Sequence, residues 1–293
     1  MKVAIITDSS ADIPEDIAAK NNITIVPMYV GYDGVLYKEG KEISTDQVFG
    51  ALESGKKVNT SAPSVGDFLD AFRDLIEVKK TDVVYYIGLS GVLSGAINSA
   101  ISASKNFPEE SIRIFDTKTS TINLGFIAIE TARAAGRGVE GEKLEKLIER
   151  LIEDSSFTAL LESMEYVFKG GRAAFLGKFL SAAIIFTPIL TIDNNGKVKL
   201  QKFAKNVNTA VLEIFNHAKA DTLKFFKKGY KKMNLGIFYG RDETQARTIK
   251  EMIEGDRELS DVTDNIIMTE ITTVISAHTG PGICGIAVCP VIY

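Results

Sequence analysis

The sequence has no tryptophan, two histidines and two cysteines among its 293 residues. His217, His278, Cys284 and Cys289 show no metal-ligand spacing, so no metal is expected. The cysteines lie five positions apart in an apolar segment. On a strand that odd spacing puts them on opposite faces, so they should stay two buried thiols. No apolar stretch approaches the roughly 18 residues of a membrane helix. The longest candidate, 179–192, is interrupted by Pro188. A dominant charge is lacking too: 34 Lys and Arg against 38 Asp and Glu leave a net −4. That balance argues against broad electrostatic binding to phosphate backbones or anionic membranes, so no nucleic acid partner is expected, and the missing apolar stretch leaves no stable membrane insertion. The opening MKVAIITDSSADIP has an apolar run of only Val3 to Ile6, with Asp8 following and no cleavage site. A cytoplasmic protein is expected.

What is present is an ordinary globular balance, 45% hydrophobic and 25% charged. The length fits one large domain or two ordinary ones. Short apolar runs at 3–7, 23–30, 82–87 and 112–115 read as strands. Amphipathic stretches at 13–20, 45–54, 65–78, 95–105 and 124–135 read as helices, and 140–153 as a charged helix closing the unit. Such alternation predicts a parallel sheet with helices on both faces. The second half reads as strands at 157–161, 188–192, 197–203, 234–239, 265–271 and 285–292. Helices are expected within 164–186 and at 207–226 and 243–254. Asp193-Asn194-Asn195-Gly196 marks a hairpin. The fold class is therefore α/β in two domains: 1–150 with a parallel sheet, and 151–293 with a mixed sheet.

Chemistry is expected at the hydroxyl-rich turns that open helices after strands of the first half. These are Thr7-Asp8-Ser9-Ser10, Asn59-Thr60-Ser61-Ala62-Pro63-Ser64, Leu89-Ser90-Gly91-Val92-Leu93-Ser94-Gly95 and Asp116-Thr117-Lys118-Thr119-Ser120-Thr121. Ligands of open parallel sheets bind beyond the carboxyl ends of the strands, where helix N-termini offer unpaired N–H groups. The same residue types are ordinary N-caps, and Ser64-Val65-Gly66-Asp67 fits a capping box. Ser94 lies near two glycines, where backbone can approach a ligand. His278, in the loop Ser276-Ala277-His278-Thr279-Gly280-Pro281-Gly282, could donate to an anion or act as a base. His217 reads as a helix-surface residue. The segment 171–178 has five residues between its glycines, and Phe179 where a P-loop places its magnesium-binding hydroxyl. Gly88-Leu89-Ser90-Gly91 lacks the second glycine of a nucleophile elbow.

Taken in order, several segments resemble the DegV family of bacterial lipid-binding proteins. They are Thr7-Asp8-Ser9-Ser10-Ala11-Asp12; Thr60-Ser61-Ala62-Pro63-Ser64; Leu93-Ser94-Gly95 with Ser99-Ala100; Asp116-Thr117; Glu165-Tyr166-Val167-Phe168-Lys169-Gly170-Gly171-Arg172; Pro188-Ile189-Leu190; and His278-Thr279-Gly280-Pro281-Gly282. The resemblance implies a two-domain carrier of one long-chain fatty acid, about C14–C18 by methylene burial. It implies that Thr60 and Ser94 hold the carboxylate, helped by Ser61 and His278. It also implies no intrinsic catalysis, no cofactor beyond the bound acid, and a separate fatty acid kinase as partner, with Arg172 for docking. Ala62 stands where Gln is common, and Ala96-Ile97 where Thr-Tyr is common, removing a hydroxyl beside the expected head group. The stretches 175–189 and 95–103 are candidates to line the acyl tunnel. The competing readings are a serine hydrolase or acyltransferase using Ser90 or Ser94 with His278, and a structural or regulatory protein whose serine-rich turns are only caps.

Overall fold

The computed structural model describes residues 1–169 and 185–292. The first half lays down strands β1 (Val3–Asp8), β2 (Ile23–Val26), β3 (Tyr29–Tyr32), β4 (Val35–Lys38), β5 (Asn59–Ser61), β6 (Val83–Gly88) and β7 (Ile112–Asp116). Between and after them run α1 (Glu15–Lys20), α2 (Thr45–Glu53), α3 (Val65–Arg73), α4 (Ala96–Ser104), α5 (Thr121–Gly136) and α6 (Glu142–Glu153). Four strands form a parallel sheet in the order β2-β1-β6-β7. Side chains alternate across it as a pleat requires. Ile6, Val84 and Tyr86 pack with Phe68, Phe72 and Ala100 on the α3–α4 face. Ile5, Tyr85 and Ile87 pack with the helix α5 face. Burial on both sides explains why β1 and β6 read as continuous apolar runs.

The single strand expected at 23–30 is two strands in two sheets. Pro27 cannot donate to a ladder, and the chain turns there from β2 into β3. β3 belongs to a small antiparallel sheet of order β4-β3-β5. Its edge β5 is three residues long, too short for periodicity to register.

The second half supplies β8 (Ser156–Leu161), α7 (Glu165–Lys169), β9 (Thr187–Ile192), β10 (Val198–Ala204), α8 (Val207–Lys227), β11 (Met233–Tyr239), α9 (Thr244–Gly255), α10 (Arg257–Val262), β12 (Thr263–Glu270), α11 (Thr273–Thr279) and β13 (Ile283–Pro290). The sheet order is β10-β9-β8-β13-β11-β12, antiparallel except for the β11–β12 pair. The mixed sheet is thus present. Cys284 and Cys289 are both free and buried. They lie in different core clusters, on opposite faces of β13.

The two sheets fall either side of residue 150 and share α5. Twelve residues of this helix, named from Thr121 to Ala134, are buried. A Cβ on Gly236 of β11 would lie 2.5 Å from Ile122 and 2.8 Å from Phe126, so only glycine lets the strand lie this close to the helix. Glu130 of α5 is fully buried, where an unpaired carboxylate would be costly. It accepts from Asn234 at 3.0 Å, from Arg133 at 2.8 Å and from the Ile292 N–H at 3.0 Å. One continuous core therefore joins the halves, and a cavity opens beside it.

Candidate functional site

The cavity lies between the carboxyl ends of the parallel sheet and strands β8 to β10, with α11 along one side. Its walls are mostly apolar: Met28, Leu89 and Leu93 from the first half, and Phe157, Leu161, Leu190, Ile192 and Val198 from the second. The polar groups on it include Thr60, Ser94 and His278, with Ser120, Thr121 and Thr279 elsewhere on the wall.

Thr60 is the middle residue of β5, paired with Val30. The pleat turns it inward while Asn59 and Ser61 are exposed. Its Oγ1 lies 2.7 Å from Nε2 of His278, a bond spanning 218 positions. Ser61 is not brought to this group: it faces away, and its hydroxyl donates to the Ala62 carbonyl at 3.2 Å. Ser94 precedes α4. Its hydroxyl accepts from the Ala96 N–H at 3.2 Å, and its own N–H donates to the Ser90 carbonyl at 3.1 Å. Gly95 brings this turn against the other, since its Cβ position lies 3.9 Å from that of Ala62.

His278 does not sit in an irregular loop. It occupies the last turn of α11, a helix of seven residues. Too short to be stable alone, α11 is fixed from outside. Glu39, 4% exposed, accepts from the Thr273 hydroxyl and from the Val274 N–H, each at 2.6 Å. The other Glu39 oxygen accepts from Ser9, whose hydroxyl in turn accepts from the Met28 N–H at 3.0 Å. Asp12 accepts from the Thr272 N–H at 2.9 Å. Burial pushes both carboxyls above their ordinary range, Asp12 the further; the like-charged Glu39 and Asp8 add to the rise at Asp12, and Asp8 adds to that at Glu39. At the other end Gly280 stops the helix with φ 76° and ψ 178°, a conformation essentially restricted to glycine. A Cβ there would meet the Tyr166 ring at 2.2 Å. Ser9, Asp12 and Glu39 thus position His278 from a distance.

Ser90 is fully buried and donates its hydroxyl to the Gly196 carbonyl at 2.9 Å, away from His278. Ser64 and Asp67 form the expected capping box of α3. His217 is a surface residue, 3.0 Å from Gln201. Of the three departures beside the expected head group, Ala62 lines the cavity, and Ala96 and Ile97 do not. Ala96, Ala100 and Ala103 are buried, and Ile97 packs in the core of the α3–α4 face. Of the stretch 95–103 only Gly95 reaches the cavity. Small residues there let α4 pack closely on α3 and the sheet. Arg172, and most of the expected acyl-lining stretch 175–189, lie outside the described residues; Leu190, just beyond, lines the cavity. Among the described residues no His, Cys, Asp and Glu group could hold a metal, and no helix is long and apolar enough to cross a membrane.

The cavity pairs a few hydrogen-bonding groups with a long apolar wall, an arrangement suited to an amphiphile with a small polar head. Known proteins of the same build match over the whole chain. A DegV domain-containing protein of Caldanaerobacter subterraneus is 26% identical over 97% of this chain and 98% of its own. The structure of a DegV family protein from Thermus thermophilus, described for its fatty acid binding, superposes with a TM-score of 0.85 at 26% identity, covering 99% and 100% of the two chains. A stearic-acid-binding protein from Eubacterium ventriosum shares the fold with a TM-score of 0.86 at 24% identity, over 98% of each chain. The model of the uncharacterised DegV family proteins matches residues 2–291, and the chain belongs to the DegV family.

Proposed function

We propose that this protein binds one long-chain fatty acid, its carboxylate held by Thr60, Ser94 and His278, and presents it to a separate fatty acid kinase that forms the acyl phosphate. The observation that carries the reading is the Thr60–His278 pair on a mostly apolar cavity that Ser94 also lines. A 16-carbon chain would bury about fourteen methylenes at about 0.8 kcal/mol each, roughly 11 kcal/mol before the costs of binding. The carboxylate needs donors in return, and two hydroxyls and an imidazole supply them without a full positive charge. With no lysine or arginine on the wall among the described residues, the head group is left open to attack on a phosphoryl donor.

The protein itself acts as a carrier. Ser90 is bonded to the Gly196 carbonyl, and Nε2 of His278 is engaged by Thr60, which speaks against a serine nucleophile with His278 as its base. The sequence carries no usable P-loop, so ATP must be bound by the partner. Arg172 is assigned to docking the kinase or to the developing phosphate charge. The site of action is the cytoplasm, where ATP and reduced thiols are available.

Native mass spectrometry of protein purified from bacteria should show one non-covalent acid per chain. Absence of any stoichiometric acid, together with failure to take up added palmitate, overturns the carrier reading. For the partnership, loaded protein is mixed with the host's fatty acid kinase, ATP and magnesium, and acyl phosphate is measured. Arg172→Ala should lower product more than it lowers binding.

A further inference from the structure

The segment Thr7-Asp8-Ser9-Ser10-Ala11-Asp12 contributes nothing to the cavity wall. It is nevertheless bonded to the turn that leads to Ser94 and to the helix that carries His278. Asp8 ends β1 and is fully buried. A carboxyl in that position needs donors on both oxygens, and four reach it. One oxygen accepts from the Ser10 hydroxyl and, at 3.2 Å, from the Ser10 N–H. The other accepts from the Tyr86 hydroxyl at 2.7 Å and from the Leu89 N–H at 3.1 Å.

The Leu89 bond is the one that reaches toward the site. The ladder between β1 and β6 ends at the pair Thr7 and Ile87, and beyond it the Asp8 side chain takes the Leu89 amide. From there the chain folds back at once: the Leu93 and Ser94 N–H groups both donate to the Ser90 carbonyl, at 2.9 and 3.1 Å. Ser94 is therefore placed relative to Ser90, and Ser90 follows the amide that Asp8 holds. Across a single 3-10 turn from Asp8, Asp12 accepts from the Thr272 N–H at the start of α11. One short segment thus sets the Ser94 turn against the His278 helix.

We propose that Asp8 is a positioning residue of the head-group site: by holding the Leu89 amide it aims Ser94 at the ligand carboxylate, in register with the helix that Asp12 holds. This rests on the fatty acid reading. The effect of Asp8 on binding then runs through Ser94. Ser90 keeps its own bonds to the Thr119 and Gly196 carbonyls, so loss of Asp8 should shift the turn rather than unfold it.

The experiment compares palmitate affinity in delipidated parent, Asp8→Ala, Ser94→Ala and the double variant. Asp8→Ala should weaken binding by about 3- to 100-fold when Ser94 is present and by less than about 2-fold when it is absent, because the two residues act through one contact. Tyr86→Phe removes the other donor to the same Asp8 oxygen, and should lower stability while leaving affinity unchanged. Should Asp8→Ala not fold, the carbon resonance of the Asp8 carboxyl decides. Palmitate should move it in the parent, and much less in Ser94→Ala at equal occupancy. Unchanged affinity in Asp8→Ala, equal losses with and without Ser94, an equal loss in Tyr86→Phe, or an unmoved Asp8 resonance overturns the inference and leaves the carrier reading intact. Affinity of Ser94→Ala equal to the parent's overturns it together with the head-group assignment. A parent that takes up no palmitate overturns the carrier reading as well.

Discussion

Ser90 donates its hydroxyl to the Gly196 carbonyl at 2.9 Å, tying the turn after β6 to the tip of the β9–β10 hairpin. The hairpin brings Ile192 and Val198 to the cavity, so this bond holds a wall in place. Ser90→Ala leaves the carbonyl unserved and should cost about 1–3 kcal/mol in urea denaturation. Hydrolysis of p-nitrophenyl esters should be absent in the parent and unchanged in the variant. Turnover lost with Ser90 or Ser94 would favour the hydrolase reading.

Thr60→Val removes the hydroxyl beside His278 while keeping a β-branched residue in the strand. Ser94→Ala removes the second hydroxyl of the site. Each should weaken palmitate binding by about 10- to 150-fold, the cost of one hydrogen bond to a charged acceptor, with thermal stability nearly unchanged. Titration calorimetry of loaded and delipidated protein checks both. Affinity equal to the parent's would move the carboxylate elsewhere.

Asp12 gives the fold a pH dependence of known sign. Burial raises its carboxyl well above the ordinary range, so the native state holds this proton to higher pH than the unfolded chain does. Stability from this group is therefore present below the ordinary carboxylate range and is lost as pH rises toward the raised native value. Asp12→Asn keeps the acceptor for the Thr272 N–H and tolerates the φ of 49°. Urea denaturation at pH 5 and pH 8 should show a smaller loss in the variant, with Glu39 supplying what remains. A slope equal to the parent's would place the effect elsewhere.

Gly280→Ala should destabilise the protein by about 1–3 kcal/mol, because the backbone conformation is strained for any side chain and the Tyr166 ring must move. It should also weaken fatty acid binding, since His278 lies two residues before the stop. Stability and affinity measured together test this. Loss of stability with full affinity would show that α11 tolerates the shift.

Much of the parallel sheet was legible because β1 and β6 are apolar runs buried on both faces, a pattern local sequence carries. The Cys284–Cys289 spacing likewise gave the two faces of β13. Helix α11 was not legible. Its residues include Thr, Ser, His and a following Gly-Pro-Gly, which locally favour a loop, and the groups that hold it are Glu39 and Asp12, more than 230 positions away. Nothing near Glu39, in a glycine-punctuated stretch, marks it as a helix anchor. Ser61 was carried along with Thr60 from a shared motif. Strand alternation separates them, but β5 was too short to announce itself as a strand.

β13 runs between β8 and β11, with Ile283 opposite Leu161, although it is the last strand in the sequence. β8 and its hairpin neighbours must therefore wait for a distant segment before their sheet closes, and loop closure over such separations slows folding. β13 sets Ile283 on the cavity wall and Ala287 and Cys289 in the core shared with α5, so the segment laid down last in the chain is the one that ties the cavity to the central helix.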